Sequence, residues 1–363
     1  MARVREGEGV AHLAVLARAP RPAGSDAEAR AHDYAHRVLD AAGFTVSRIP
    51  FEYSRVPGRY ATPIGGALAT ATIVLAAIAG LHGRADVALG TCGLGVLILV
   101  GFARAMTGDA VLTLPWSRAT GENLVATWGS ETPRIWLVAH VDSKSQPVPS
   151  LMRVAGILLL LLALVAALAA AGLELAALPH RTAWWVALLL AALGAPPVLA
   201  SVVGTRSDGA VDNASGVAAV LAAAVAVRPE SMFGVLLPSA EELGLAGARA
   251  WARDVRPGTA LNCDGVDDAG ELTIMYSGAA PTPLIQTLAT VAPRPPRVRR
   301  MPLGLLTDSV ALADRGWTAL TVSRGSLATL RRIHTPHDSL ATLRGEGIDE
   351  VATLLARAVE ALA

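Results

Sequence analysis

Apolar residues are spread along this chain in two ways, and each predicts a different kind of structure. Over 44–49, 122–128, 134–139, 232–237, 259–263, 272–276 and 318–322, short runs rich in Val, Ile, Leu and Thr read as strands. Between them, 29–42, 211–227, 247–253, 283–291, 309–315 and 348–362 carry apolar residues at helical spacing. Ser25 and Glu28 have the spacing of a capping box at the first helix, and Gly43 suits its end. Strands alternating with helices predict an α/β fold, a mixed sheet with helices on both faces. The Pro- and Arg-rich stretch 293–297 reads as a surface linker.

The second pattern is continuous rather than periodic. Four runs carry no charge: 61–81, 87–103, 154–173 and 182–205, about 21, 17, 20 and 24 residues long. Their lengths match the ~17–25 residues that cross a bilayer as a helix. Short polar turns containing Arg84 and Asp86, and Glu174, His180 and Arg181, join them in pairs, which predicts two transmembrane hairpins. Trp184 and Trp185 fall where an aromatic belt would lie, and Pro196-Pro197 would kink the fourth segment. The chain thus divides into a discontinuous domain, 1–60, 120–150 and 206–363, a first hairpin with its linker, 61–119, and a second hairpin, 151–205. Each insert has an even number of spans, so the soluble pieces emerge on one side of the membrane. Arg55, Arg59, Arg104, Arg118, Lys144, Arg153 and Arg206 flank the spans on that side, against Arg84 and Arg181 in the hairpin loops. The positive-inside rule then predicts a multi-pass protein with its soluble domain in the cytoplasm.

Composition sharpens this picture. The 363 residues are 53% hydrophobic with a mean hydropathy of +0.46, above the roughly 45–50% of soluble domains. Net charge is +1 and no basic stripe alternates with aromatics, which argues against nucleic acid as a partner. Lys144 is the only lysine. Cys92 and Cys263 give no disulfide framework, and the first twenty residues show no signal-peptide core.

The chemistry is concentrated at strand ends. Glu241-Glu242 follows the strand 232–237 and precedes the helix 247–253, a place where open α/β sheets build sites. One carboxylate there can bind a metal while its neighbour handles protons. Taken alone, the pair also suits a helix N-terminus. Four further stretches hold potential ligands: His140-Val141-Asp142, the segment 209–216 with Asp212-Asn213, Asn262-Cys263-Asp264, and 333–338 with His334 and His337. Imidazole and carboxylate are what zinc takes where no thiolate is offered, and two ions about 3.5–4 Å apart can hold an attacking water and a carbonyl oxygen together.

The ordered set His-x-Asp, Gly-x-x-Asp-Asn-x-Ser-Gly, Glu-Glu, Asn-x-Asp and His-Thr-Pro resembles the M28 family of zinc aminopeptidases, as does Arg21-Pro22-Ala23-Gly24-Ser25. The resemblance covers about 18–56 and 120–362 without the insert 151–205. It implies a phosphorylase/hydrolase-like α/β/α sandwich and two Zn²⁺ per chain, with peptides as substrates. Carried over, it makes His140 and Asp264 ligands of one ion, Glu242 and His334 ligands of the second, and Asp212 the bridge. Glu241 becomes the general base and Asp142 the residue that orients His140. His334 is preferred over His337 as ligand, while His12, His32, His36, His82 and His180 are expected at surfaces or interfaces. Two departures stand out. Thr307-Asp308-Ser309 replaces the Ser-Asp-His of many relatives, and Ile333 stands where some place a Tyr oxyanion donor, leaving Tyr276 as a weak substitute.

The leading expectation is a membrane-bound two-zinc aminopeptidase. The alternatives are a single-zinc acyl transferase of the glutaminyl-cyclase type, or a non-enzymatic receptor with a retired peptidase domain. The second hairpin interrupts the chain between His140 and Asp212. Arg206 lies six residues from Asp212, a reach of at most roughly 20 Å. That tether predicts a site near the bilayer surface and substrates such as short hydrophobic peptides. The oligomeric state is left open by the sequence.

Overall fold

A period of two organises the central strands. In β3 (Ile135–Val138), Ile135 and Leu137 face one core while Trp136 and Val138 face another; in β4 (Phe233–Leu237), Phe233, Val235 and Leu237 face the first and Leu236 the second. The computed structural model describes residues 4–128, 132–178, 181–227, 231–302 and 304–363. With β1 (Thr45–Ser54), β2 (Arg118–Thr127), β5 (Thr259–Val266), β6 (Glu271–Tyr276), β7 (Arg297–Arg300) and β8 (Thr318–Gly325), these strands form one sheet ordered β1-β2-β4-β3-β5-β8-β6-β7. The middle run β4-β3-β5-β8 is parallel, the pairs β1-β2, β2-β4 and β8-β6 are antiparallel, and β6-β7 is parallel again.

One face packs Glu8–Leu16, Ser215–Ala226 and Glu346–Leu362 over the larger core. The other carries Ala246–Asp254 and Asp308–Ala313, where Trp136, Trp251 and Trp317 meet edge to face and tilted. This is the expected α/β/α sandwich. Strands buried on both faces lose alternation and become continuously apolar, which is why β3 and β4 stood out in the sequence.

The second helix, Asp26–Ala41, is capped by the Ser25 hydroxyl accepting from the Glu28 amide, but the Glu28 carboxylate reaches the Gly24 amide rather than closing a box on Ser25. Its buried stripe, Glu28, His32, Ala35 and Leu39, puts His32 inside, correcting the surface expectation. His12 is also buried, its Nδ1 2.7 Å from the Tyr34 hydroxyl. His82 is exposed and His36 half-buried, and His180 lies outside the described residues. The stretch read as linker runs into β7 at Arg297, an exposed Arg-rich edge strand whose charges discourage further pairing.

The chain separates into two compact units. One consists of the sheet and its helices, up to Ser54, Val111–Ser145 and Thr205–Ala363; the other is Arg55–Ala110 with Gln146–Gly204. Within the sheet unit each interruption is closed at its base. Ser54 pairs with Arg118 across β1 and β2, and Ser54 Oγ donates to the Trp116 carbonyl. Likewise the Arg206 amide donates to Ser145 Oγ. Insertions whose ends already meet leave the surrounding backbone pairing intact.

The second unit contains four helices, Val56–Leu81, Ala85–Met106, Ser150–Leu175 and Arg181–Leu199, all long and apolar enough to cross a membrane. Only 22–33% of their most apolar windows is buried, so most Leu and Val side chains face outward. Contacts run through small residues: a Cβ on Gly80 would strike the Trp184 ring, and one on Gly95 would strike Thr72. Trp184, expected in an interfacial belt, is instead buried and donates to Glu174, whereas Trp185 is exposed.

Candidate metal centre

Five segments deliver acidic and imidazole groups to one end of the parallel strands. Beyond β3, the Val141 amide still donates to the Pro238 carbonyl, which carries His140 past the sheet edge in a fixed direction. His140 Nδ1 lies 3.0 Å from the Asp142 carbonyl oxygen, so the ring presents Nε2 to the cluster. That nitrogen is 3.3 Å from Asp212 Oδ1 and 3.9 Å from both Glu241 Oε2 and Asp264 Oδ1. On the other side, His334 Nε2 is 2.8 Å from Asp212 Oδ2 and 3.4 Å from Glu242 Oε1. Asp212 therefore turns one oxygen to each imidazole. The donor atoms fall into two trios, His140–Glu241–Asp264 and Asp212–Glu242–His334, each within 4.8 Å.

The remaining motif residues brace this geometry. The Asp338 carboxylate accepts from the amides of Val211 and Asp212, at 2.7 and 3.2 Å. Asn213 donates to the Cys263 carbonyl and accepts from Gly216 and Gly265, tying the Asp212 loop to the bulged end of β5. A Cβ at Gly216 would collide with the Asn213 amide, so only glycine fits there. Buried Arg21 spends its guanidinium on four carbonyls, Leu16, Val141, Asp208 and Gly209, joining the His140 and Asp212 loops.

Asp142 faces two ways. Its backbone carbonyl and its Oδ1 lie 3.0 and 3.6 Å from His140 Nδ1, and its carboxylate also accepts from the amides of Glu241 and Glu242, at 3.0 and 3.2 Å. It thus fixes the turn that aims both glutamates. Ala240, just before them, and His334 itself hold left-handed backbone, φ 56° and 63°. Such strain costs of order 1–3 kcal/mol per residue and persists where the surroundings impose it, often at functional sites.

Electrostatics divide the glutamates. Burial raises the Glu241 carboxyl well above its usual range; His140 opposes this, while Glu242 and Asp264 add to it. Burial would raise Glu242 as well, but the Lys144 ammonium, 2.5 Å from Oε2, is the main influence that brings it down to about 2. Burial works to lower both imidazoles, yet the surrounding carboxylates, Glu241 foremost for His140 and Glu242 for His334, raise them. Asp308 is fully buried, with neither oxygen hydrogen-bonded, and burial pushes it up to about 8. Beside it, the hydroxyls of Thr307, Ser309 and Thr321 bond to one another at 2.7–3.0 Å.

The donor set fits divalent zinc. Two nitrogens and four carboxylates converge without thiolates, and the buried Glu242 Oε1 faces His334 with no hydrogen-bond partner. His337 is exposed and belongs to neither trio. Tyr276 ends β6, two strands from the β5 strand that carries Asp264. Arg21, Asp338 and Asn213 were not assigned roles from sequence, and Lys144 was read only as a basic residue flanking a span. Their signals were a lone lysine and polar residues inside quoted motifs.

The family model of peptidase family M28 matches residues 123–359, about two-thirds of the chain. The chain belongs to peptidase family M28. Solved structures share the fold of this M28 member at low identity. An aminopeptidase from Aneurinibacillus sp. strain AM-1 is 15% identical, with a TM-score of 0.57 over 98% of this chain and 93% of that one. A Zn-dependent exopeptidase from Parabacteroides distasonis is 13% identical, at 0.57 over 98% of each. A glutaminyl cyclase from Porphyromonas gingivalis is 14% identical, at 0.57 over 99% of each. No curated protein matches the chain.

Proposed function

We propose that this M28 member is a membrane-anchored two-zinc aminopeptidase acting on short, apolar peptides. The observation that carries the reading is Asp212, whose two carboxylate oxygens face two imidazoles, each with its own acidic partners. His140 and Asp264 would hold one zinc, Glu242 and His334 the other, and Asp212 both. When bound, zinc supplies Lewis-acid polarisation of the scissile carbonyl and a more acidic water. Glu241 takes the proton of the attacking water and delivers it to the leaving amine. Asp142 positions His140 and the two glutamates at once. The four apolar helices anchor the chain in the bilayer, with the catalytic unit cytoplasmic as the arginine distribution favours. A C-terminal reporter active only outside the cytoplasm would reverse that orientation.

A second reading is a one-zinc acyl transferase that cyclises N-terminal Gln, supported by the fold shared with the Porphyromonas gingivalis glutaminyl cyclase. Metal analysis with a panel of aminoacyl and N-terminal-Gln substrates separates the two. Two zinc ions and amine release support the peptidase; one zinc and cyclisation support the transferase. No zinc and no turnover would end both.

A further inference from the structure

We propose that Lys144 sets the affinity of the Asp212–Glu242–His334 position for its ion by occupying one oxygen of Glu242 and reserving the other. The inference rests on the zinc reading above. It assigns a positioning role to a residue outside the ligand set.

Of 31 basic residues, Lys144 alone is lysine. The composition favours arginine everywhere else, so a lone lysine at the metal centre calls for a local reason. Its ammonium lies 2.5 Å from Glu242 Oε2, with its side chain 16% exposed. The other oxygen, Oε1, is buried without a hydrogen bond and stands 3.4 Å from His334 Nε2, on the side of the trio. The two oxygens thus have separate tasks, one held by protein and one left for an ion.

Lysine suits this division and arginine does not. An ammonium is a point donor that satisfies one carboxylate oxygen. A guanidinium is a planar fork that takes both oxygens of a carboxylate in parallel. Arginine at 144 would therefore claim Oε1 as well. Removing the charge would free Glu242 to rotate, and loss of a group that orients a ligand typically costs 10–100-fold in metal affinity.

The test is zinc affinity and stoichiometry of the full-length, detergent-solubilised chain, by chelator competition and elemental analysis. Lys144→Met should weaken one of two zinc ions by about 10–100-fold. Lys144→Arg, although it keeps the charge, should weaken that ion further. In a His334→Ala background neither change should alter the remaining ion. Unchanged or tighter binding in Lys144→Met would overturn the proposal, as would a Lys144→Arg protein that binds like wild type, since charge alone would then suffice. Effects that persist without His334 would move Lys144's influence to the other position and refute the assignment. Wild type that binds no zinc would instead sink the underlying peptidase reading. Thermal melts of the metal-free variants separate these outcomes from misfolding.

Discussion

The two units handle polar groups in opposite ways. The sheet unit buries His140, Asp142, Glu241, Glu242, Asp308 and Arg21, and satisfies most of them across distant segments. The helical unit packs Ala, Gly, Leu and Trp inside and turns large apolar side chains outward. Hydroxyls differ in part. Thr70, Thr72 and Thr91 donate to carbonyls four residues earlier in their own helices, and Ser201, just past the last helix, donates to Pro197. Helices of the sheet unit make the same local bonds, as Ser215 does to Val211, but Ser143 and Ser215 also join segments far apart in sequence. One rule covers both: a polar group is satisfied by what surrounds it, and the surroundings expected for the two units are water and lipid.

The largest test falls on the buried charges. Glu241→Gln keeps the size of the side chain but removes its proton affinity. It should lower kcat by about 10²–10⁴-fold while zinc content stays at the wild-type value. Loss of zinc together with activity would make Glu241 a ligand, in keeping with its place in the His140 trio. The next test falls on the apolar exterior. Leu97 and Leu327 are both exposed, 71% and 56%, one in each unit. Leu97→Arg should cost about 2.5–3.5 kcal/mol of membrane insertion, and Leu327→Arg less than about 0.5 kcal/mol of stability. Equal tolerance at both positions, read as yield of membrane-integrated protein, would remove the contrast between the units.

Much of this contrast was legible in the sequence, for physical reasons. A helix in lipid needs an uncharged run of fixed length, and the four runs became four helices. A buried strand needs a short apolar run and a half-exposed one an alternating run, and seven of the eight described strands were read from one or the other; β7, charged and exposed, gave neither signal. Ligand chemistry limits residue types and the ordered motifs resemble those of M28, so His140, Asp212, Glu241, Glu242, Asp264 and His334 could be named before the structure brought them together. Partnership could not be read. That Lys144 takes Glu242, or that the Asp142 carboxylate caps the glutamate turn 99 residues away, depends on how distant loops meet. The inward turn of His12 depended on a tertiary partner, Tyr34, in another helix.

The charged cluster also makes the sheet unit sensitive to pH in a way the helical unit is not. In the zinc-free protein, His140 and His334 are raised above the usual imidazole value. Each then contributes stability that is fully present below the unfolded value of about 6.5 and lost as pH rises through the raised folded value. Asp212, held well below its usual value, contributes stability present above the unfolded value and lost as pH falls through the folded one. Zinc inverts the histidine preference, because each ring must lose its proton to bind. Zinc affinity should therefore rise with pH below the raised values, about tenfold per unit for each proton displaced. Chelator competition at several pH values measures the slope. A flat profile would mean that the imidazoles are already neutral.

The smallest expected effects come from the hydroxyls. Ser143 Oγ accepts from the Arg21 amide and donates to the Ser207 carbonyl, both in buried surroundings. Ser143→Ala leaves both groups without that partner and should cost about 1–2 kcal/mol in chemical unfolding of the sheet unit. Thr91 Oγ1 donates only to the Val87 carbonyl, which already serves its own helix. Thr91→Val removes a bond that leaves no orphaned donor and adds apolar surface facing outward, so it should be neutral to within about 0.5 kcal/mol in a lipid environment. If Thr91→Val proved as costly as Ser143→Ala, the hydroxyls of the helical unit would be holding tertiary structure, and the division between the two units would lie in their side-chain composition alone.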